Sequence, residues 1–255
     1  MADGCATVIV VIPARYGSSR FPGKPLALLG DKPLIQQVYE RVRQARGVSR
    51  IVVATDDVRI HDCVTGFGGE AIITGNALRS GSDRVAAVAC AMPADVYVNL
   101  QGDEMPLNPG LLDDLILPFA QSGADVGTLK QAITDERELL NPNVVKVVTD
   151  SQGDALYFSR SPIPYRRDRP DGAGDLVPGL HWKHLGIYSY RAAALTRFTA
   201  LPSSALEDTE QLEQLRLLEA GMRIRVWETA HASLRVDTPD DLRVAEHLLQ
   251  SWLTG

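Results

Sequence analysis

Two runs of β-branched residues, separated by one helical pattern, set the strongest limit on how this chain can fold. The first run, TVIVVIP at residues 7–13, and the second, IVVATDD at residues 51–57, are apolar over most of their length. Such runs are typical of parallel strands that are buried on both faces of a sheet. Between them, residues 33–46 repeat apolar side chains at helical spacing. The sequence therefore opens with a predicted β-loop-α-β unit, and loops at such strand ends build ligand sites.

The alternation of strand and helix patterns continues to about residue 122, as in a doubly wound α/β sheet. Helical patterns cover 58–69, 80–92 and 108–123, and strand patterns cover 70–74 and 95–104. The chain then changes to strand-like segments separated by turns, and it closes with a helix at 208–221, a strand at 222–228 and a helix at 238–253. We therefore predict a single domain over residues 1–255, with a mostly parallel, mixed sheet and a strand-rich excursion at about 126–190.

Charge, cysteine content and hydropathy limit the partners of the protein. A net charge of -6 argues against a nucleic-acid partner, because dedicated binders carry a basic surplus. Cys5, Cys63 and Cys90 are far apart, which fits a reducing compartment and excludes a cysteine-based zinc site. The apolar run at residues 6–13 is too short to span a bilayer, and no basic region precedes it. We expect a cytoplasmic protein with no membrane segment.

The glycine-containing loop after the first strand, ARYGSSRFPGKP at residues 14–25, does not match either common nucleotide motif. A Walker loop has four residues between its glycines and a hydroxyl residue after the lysine. Here five residues separate Gly17 from Gly23, and Pro25 follows Lys24. The dinucleotide pattern G-x-G-x-x-G is also absent. Neither a P-loop ATPase nor a Rossmann oxidoreductase is therefore predicted.

The same loop nevertheless suits a triphosphate. Its small residues allow close approach of the backbone, and Arg15, Arg20 and Lys24 add three cations within ten positions. These cations, with backbone N–H donors, complement the roughly four negative charges of a nucleoside triphosphate. The alternative is a loop with a solvated basic face.

Eight sequence blocks resemble one enzyme family, in the same order along nearly the whole chain. They are IPARYGSSRFPGKPL, VATDD, SGSDR, NLQGDE, ALYFSRSPIPY, HLGIYSYR, LEQLRLLEAG and VDTPDDL. The chain resembles the sugar-activating cytidylyltransferases, in particular the CMP-Kdo synthetases (3-deoxy-manno-octulosonate cytidylyltransferases) of lipopolysaccharide and capsule biosynthesis. The resemblance implies a nucleotide-diphospho-sugar-transferase-like fold, a homodimer, and Mg²⁺-dependent transfer of CMP from CTP to an anionic acceptor with release of pyrophosphate.

Nucleotidyl transfer builds negative charge on phosphoryl oxygens, so the protein should offer cations and a divalent metal. Mg²⁺ prefers a few carboxylates and otherwise keeps water or phosphate oxygens. Asp103 and Asp237 each follow a strand pattern, so both should lie on the carboxyl edge of the sheet. The family uses the matching aspartates for metal. The alternatives are a solvated turn at Asp103 and a helix cap at Asp237, although Thr238 already suits that cap.

The resemblance also implies the other site residues. Those near the phosphates, cytosine and ribose of CTP would be Ala14, Arg15, Ser18, Arg20, Lys24, Ser80, Gly81 and Gln101. Those near the acceptor would be Gln101, Arg160, His184, Tyr188 and Glu213. The catalytic set would be Arg15, Lys24, Asp103 and Asp237. From the residue types, Arg160 and His184 make sense as partners for an acceptor carboxylate, and the resemblance alone selects His184 over His181.

Several positions depart from the family pattern and leave the acceptor open. Gly75 and Leu78 stand where an arginine and a histidine are expected, and Met105 replaces a proline. Arg79 and Arg235 add cations, so one alternative acceptor is a phosphonate, such as phosphonoformate, in a natural-product pathway. A non-catalytic nucleotide-binding regulator and an enzyme that uses UTP or GTP are further alternatives. The retained aspartates and lysine argue against the regulator.

Overall fold

The computed structural model describes residues 6–17, 21–76, 78, 80–168 and 174–253, with side chains up to residue 247. The strands are β1 (Val8–Ala14), β2 (Leu28–Leu29), β3 (Lys32–Pro33), β4 (Arg50–Thr55), β5 (Ala71–Ile73), β6 (Val96–Asn99), β7 (Glu104–Pro106), β8 (Val126–Ala132), β9 (Lys146–Thr149), β10 (Ala155–Ser159), β11 (Trp182–Arg191), β12 (Ile224–Glu228) and β13 (Ser233–Arg235). The helices are α1 (Leu34–Val42), α2 (Val58–Gly66), α3 (Gly81–Ala91), α4 (Gly110–Gln121), α5 (Glu136–Leu140), α6 (Ala192–Ala200), α7 (Ala205–Glu210), α8 (Gln214–Glu219) and α9 (Pro239–Leu253).

A mixed sheet with β1 near its middle forms the centre of the fold. On one side, β6, β1, β4 and β5 run parallel in that order. On the other side, β11 pairs antiparallel with β6 and β8, and β12 pairs parallel with β8. The strands of the strand-rich segment, β8 to β11, belong to this same sheet. The predicted doubly wound, mostly parallel sheet is therefore confirmed.

The core has two layers because side chains of β1 alternate between the faces of the sheet. Val10 and Ile12 pack with residues of α1 and α4 on one face. Ile9 and Val11 pack with residues of α3 and α6 on the other. All of β1 is buried, as its unbroken β-branched run predicts. This burial on both faces fixes the strand end from which the glycine loop leaves.

Two predicted elements differ from the structure. The helix expected at 208–221 is interrupted, because Gln211 has a φ of 54° and separates α7 from α8. This interruption lets the Glu210 carboxylate accept hydrogen bonds from Ser159 and Arg160. The strand expected at 95–104 ends at Asn99, and the following residues turn into β7, which pairs with β13. Within the described ranges, no helix is long and apolar enough to cross a bilayer.

Candidate functional site

A cleft opens at the carboxyl ends of β1 and β6. Most residues predicted for the nucleotide line it, namely Ala14, Arg15, Lys24, Gly81 and Gln101, as do the two predicted metal ligands, Asp103 and Asp237. The two strands are parallel neighbours, so the loops that follow them lie side by side. The Gly102 N–H donates to the Pro13 carbonyl at 3.1 Å, and a Cβ at Gly102 would lie 2.9 Å from that oxygen. Glycine is therefore required where the two loops touch.

The glycine loop directs Lys24 into this cleft. Gly23 has a φ of 72°, a left-handed conformation that favours glycine, and its N–H donates to the Tyr16 carbonyl at 2.9 Å. A single 3₁₀ turn then begins at Lys24. Ser18 and Arg20, which were predicted to face the triphosphate, lie outside the described residues. Their roles stay predictions, as does that of Arg79.

Lys24 joins the two predicted metal ligands. Its ammonium lies 2.6 Å from Asp103 Oδ2 and 3.2 Å from Asp237 Oδ1. The alternative interpretation of Asp237 as a helix cap is wrong, because the Thr238 hydroxyl accepts the Asp241 N–H and caps α9. Asp103 is likewise not a solvated turn residue, since its side chain is 22% exposed and ion-paired. Asp103 and Asp237, which are far apart in the sequence, thus both contact the ammonium of Lys24.

The donor set suits a divalent cation that also binds phosphate. Two carboxylates face a positive charge here, and Mg²⁺ needs only one or two carboxylates when phosphate oxygens complete its shell. No group of three or more His, Cys, Asp or Glu side chains suited to a metal occurs in the described part of the chain. Burial raises the pKa of neighbouring Glu104, which hydrogen-bonds the Ser233 hydroxyl. The Glu104 carboxylate therefore already accepts a hydrogen bond from Ser233.

Arg15 and Ser80 stand at the rim of the cleft. Arg15 Nη2 donates to the Leu78 carbonyl at 2.6 Å, so this exposed side chain reaches the segment that precedes α3. The Ser80 hydroxyl accepts the Asp83 N–H and caps α3. Ser80 does not itself line the cleft, whereas the following Gly81 does.

A second, larger pocket of about 640 Å³ adjoins the cleft. All of the residues predicted to meet the acceptor line it: Gln101, Arg160, His184, Tyr188 and Glu213. Gln101 and Arg235 line both the cleft and this pocket. Arg235 Nε lies 3.0 Å from Asp237 Oδ2. The two pockets therefore meet beside the carboxylate pair.

Arg160 is held rigidly by backbone carbonyls. Its guanidinium donates to the carbonyls of Glu210 at 2.6 Å, Pro142 at 2.9 Å and Gln211 at 3.3 Å. The buried Lys146 ammonium also donates to the Arg160 carbonyl at 2.6 Å. No carboxylate among the described residues forms an ion pair with this guanidinium. Its charge is therefore fixed in position and available to an anion.

His184 and Tyr188 are uncharged hydrogen-bond partners. Burial lowers the pKa of His184 to about 3, so its imidazole is neutral near pH 7. Its Nε2 lies 3.0 Å from the hydroxyl of Thr128, which donates to the Ile187 carbonyl at 2.7 Å. Nε2 must then carry the proton, which leaves Nδ1 as a hydrogen-bond acceptor. The buried Tyr188 phenol has no hydrogen-bond partner among the described residues.

Sequence reasoning missed Gln214 in this pocket. Gln214 is 4% exposed, and its Nε2 is buried without a hydrogen-bond partner in the described structure. Its position directly after Glu213, at the start of α8, was the only available signal. Burial also raises the pKa of Glu213, whose carboxylate accepts a hydrogen bond from Ser82.

Comparisons with known proteins show the family to which the chain belongs. A family model described as Cytidylyltransferase matches residues 9–224. The 3-deoxy-manno-octulosonate cytidylyltransferase of Geobacter sulfurreducens is 51% identical over 94% of this chain and 99% of that protein. A solved CMP:2-keto-3-deoxy-manno-octonic acid synthetase complexed with CTP has a TM-score of 0.89 at 45% identity, over 97% of this chain and 100% of that one.

A more distant structure shares the fold alone. The inositol-1-phosphate CTP transferase of T. maritima has a TM-score of 0.65 at 14% identity, over 97% of this chain and 96% of that one. The sheet and the paired pockets at its carboxyl edge, together with these matches, define a nucleotidyltransferase enzyme. The chain belongs to the cytidylyltransferase family, and within it to the CMP-Kdo synthetases.

Proposed function

We propose that this enzyme transfers CMP from CTP to 3-deoxy-manno-octulosonate (Kdo), with Mg²⁺ and release of pyrophosphate. One observation carries the proposal. The carboxylates of Asp103 and Asp237 converge where a cleft lined by Arg15 and Lys24 meets a pocket with a fixed cation and several uncharged hydrogen-bonding groups. This junction is where the α-phosphate of a nucleotide and the hydroxyl of an acceptor must meet.

The residues of the cleft have two roles in the proposed reaction, which are charge stabilisation and metal binding. Arg15 and Lys24 balance negative charge on the triphosphate, and Asp103 and Asp237 would hold the metal. A bound divalent cation supplies further stabilisation of charge on the phosphoryl oxygens. The acceptor hydroxyl attacks the α-phosphorus and releases its proton to solvent water as the new O–P bond forms. The bond to the bridging oxygen of pyrophosphate breaks on the opposite side.

The lining of the acceptor pocket favours a sugar acid over a small phosphonate. Arg160 offers one fixed positive charge, which matches a single carboxylate. His184 Nδ1 and the Tyr188 phenol offer uncharged hydrogen bonds, which match hydroxyl groups. A phosphonate carries more charge and few hydroxyls, and of the two cations expected to serve it, Arg235 already contacts Asp237.

An acceptor screen with pyrophosphate detection tests the proposal. Wild-type enzyme receives CTP or UTP with Kdo, 8-amino-Kdo or phosphonoformate, with Mg²⁺ or with EDTA. We expect turnover with CTP, Kdo and Mg²⁺, and none with EDTA. Turnover with phosphonoformate alone would contradict the acceptor, and preference for UTP would contradict the base. No turnover with any acceptor, combined with a CTP-dependent rise in Tm, would favour the nucleotide-binding regulator.

A further inference from the structure

A buried chain of polar side chains connects the two pockets. Glu213 Oε1 accepts a hydrogen bond from the Ser82 hydroxyl at 2.8 Å. Asn99 Nδ2 donates to Ser82 Oγ at 3.3 Å, and Gln101 Nε2 donates to Asn99 Oδ1 at 3.1 Å. Ser82 is 1% exposed and Asn99 is fully buried. The phenol of Tyr190 also contacts Ser82 in this cluster. These hydrogen bonds therefore connect Glu213, which lines the second pocket, to Gln101, which lines both pockets.

The direction of each hydrogen bond follows from the carboxylate at one end. Glu213 Oε1 accepts the hydrogen bond of the Ser82 hydroxyl, so the lone pairs of Ser82 Oγ face Asn99. The amide nitrogen of Asn99 must then point to Ser82, which turns its oxygen toward Gln101. That oxygen takes one N–H of Gln101 and so fixes which way the Gln101 amide faces. Without this chain, the two ends of the Gln101 amide would be free to exchange.

Gly81 holds the same amide from the opposite side. A Cβ at this position would lie 2.6 Å from Gln101 Nε2 and 3.1 Å from its Oε1. The amide therefore packs directly on the backbone at the start of α3. Its Oε1 has no hydrogen-bond partner among the described residues, so this oxygen can accept a hydrogen bond from a ligand hydroxyl.

From this geometry we infer that Ser82 and Asn99 are positioning residues, which orient Gln101 so that its Oε1 accepts a hydrogen bond from an acceptor hydroxyl at the junction of the pockets. The inference rests on the proposed function, because it takes the second pocket as the acceptor site. Neither residue lines either pocket. Their effect on the reaction is exerted through Gln101.

The test compares three serine variants. Ser82→Ala breaks the chain, and Ser82→Thr keeps the hydroxyl. Ser189→Ala is the matched control, because Ser189 is also fully buried, lies on β11 beside β6, and has an Oγ without a partner. Steady-state kinetics are measured for Kdo and CTP, and Tm reports folding.

We expect Ser82→Ala to lower kcat/KM for Kdo by about tenfold or more, with KM for CTP within about twofold, because misplacement of a positioning group is costly. Ser82→Thr should recover most of the loss, and Ser189→Ala should match wild type. Kinetics of Ser82→Ala within twofold of Ser189→Ala would overturn the inference.

A second readout does not depend on turnover. The side-chain amide signals of Gln101, assigned by their loss in Gln101→Glu, are recorded by ¹⁵N NMR. They should shift in Ser82→Ala and not in Ser189→Ala. If wild-type enzyme does not use Kdo, the proposed acceptor is wrong. The Gln101 signals then test by themselves whether Ser82 orients Gln101. Unshifted Gln101 signals in Ser82→Ala would overturn the inference even where activity falls, because the loss of activity would then have another structural cause.

Discussion

The ammonium of Lys24 lies 2.6 Å from Oδ2 of Asp103, and the lysine side chain is only 9% exposed. This contact joins the glycine loop to the end of β6, and the same ammonium reaches Asp237 at 3.2 Å. In the structure, a side-chain cation thus stands between the two carboxylates that we assign to the metal. The first two predictions follow from this arrangement.

Asp237→Asn should lower kcat by about a hundredfold or more while the protein stays folded, because an amide removes one of two anionic metal ligands. The check is kcat across a Mg²⁺ titration, with Tm measured in parallel. Asp240→Asn is the control, since Asp240 lies just inside α9 with its side chain 82% exposed. Wild-type turnover in Asp237→Asn would remove this residue from the metal site.

Lys24→Ala should raise KM for CTP by about tenfold or more and change KM for Kdo little, because the lost charge faces the triphosphate. It also leaves Asp103 and Asp237 without the cation between them. Mg²⁺ should therefore raise the Tm of Lys24→Ala more than that of wild type. Lys32→Ala, which removes a 36% exposed lysine, serves as control. Equal Mg²⁺ shifts in all three proteins would contradict the shared site.

Arg235→Gln should lower kcat/KM for Kdo by about fivefold to tenfold, because Arg235 lines both pockets and orients Asp237. The loss should shrink at high salt, since the Arg235 side chain is 63% exposed and its field is screened. Arg223→Gln provides a control of similar exposure, at 69%, beside Asp154. A variant with unchanged kinetics at low salt would show that this arginine is dispensable.

His184 should make stability depend on pH below neutrality. Burial lowers its pKa to about 3, whereas an unfolded histidine titrates near 6.5. The unfolded chain therefore binds more protons between these values, and the free energy of unfolding falls as the pH drops below about 6.5. One proton corresponds to about 1.4 kcal/mol per pH unit.

Urea unfolding at pH 7, 6 and 5 checks this prediction. His184→Asn should flatten the pH dependence relative to wild type, and His61→Gln, at a partly exposed position of α2, controls for the loss of a histidine. The comparison of variants isolates His184 from carboxylates whose contributions overlap in this range. An identical slope in wild type and His184→Asn would contradict a neutral, buried imidazole.

The parallel part of the fold and the place of Asp103 at its carboxyl edge were accessible from the sequence because both follow from local patterns. Continuous β-branched runs predict buried parallel strands, and parallel strands bring their carboxyl ends to one edge. Asp103 and the loop at Lys24 each follow such a strand. Asp237 follows the short strand β13, which pairs antiparallel with β7 outside the main sheet, so its place beside Asp103 does not follow from the parallel strands. Its helix-capping alternative was excluded only by the contacts of Thr238.

The remaining features depend on contacts between distant segments. The charge state of His184 is set by burial and by Thr128, which lies across the β8–β11 pairing. The break at Gln211 has no glycine to mark it, so periodicity alone predicts one continuous helix. Nothing in the local sequence around Ser82 and Asn99 indicates that hydrogen bonds connect them to Glu213 and Gln101. Such features require side-chain positions that no local pattern encodes.

Because the cleft and the second pocket share lining residues, the binding of one substrate should affect the binding of the other. Gln101 and Arg235 line both pockets, so a ligand in the cleft contacts side chains that a ligand in the second pocket also contacts. The affinities for CTP and for the sugar acid must then be coupled, and the coupling factor must be the same whichever ligand binds first. These two shared side chains would thus make each substrate an effector of the other without any movement of the sheet.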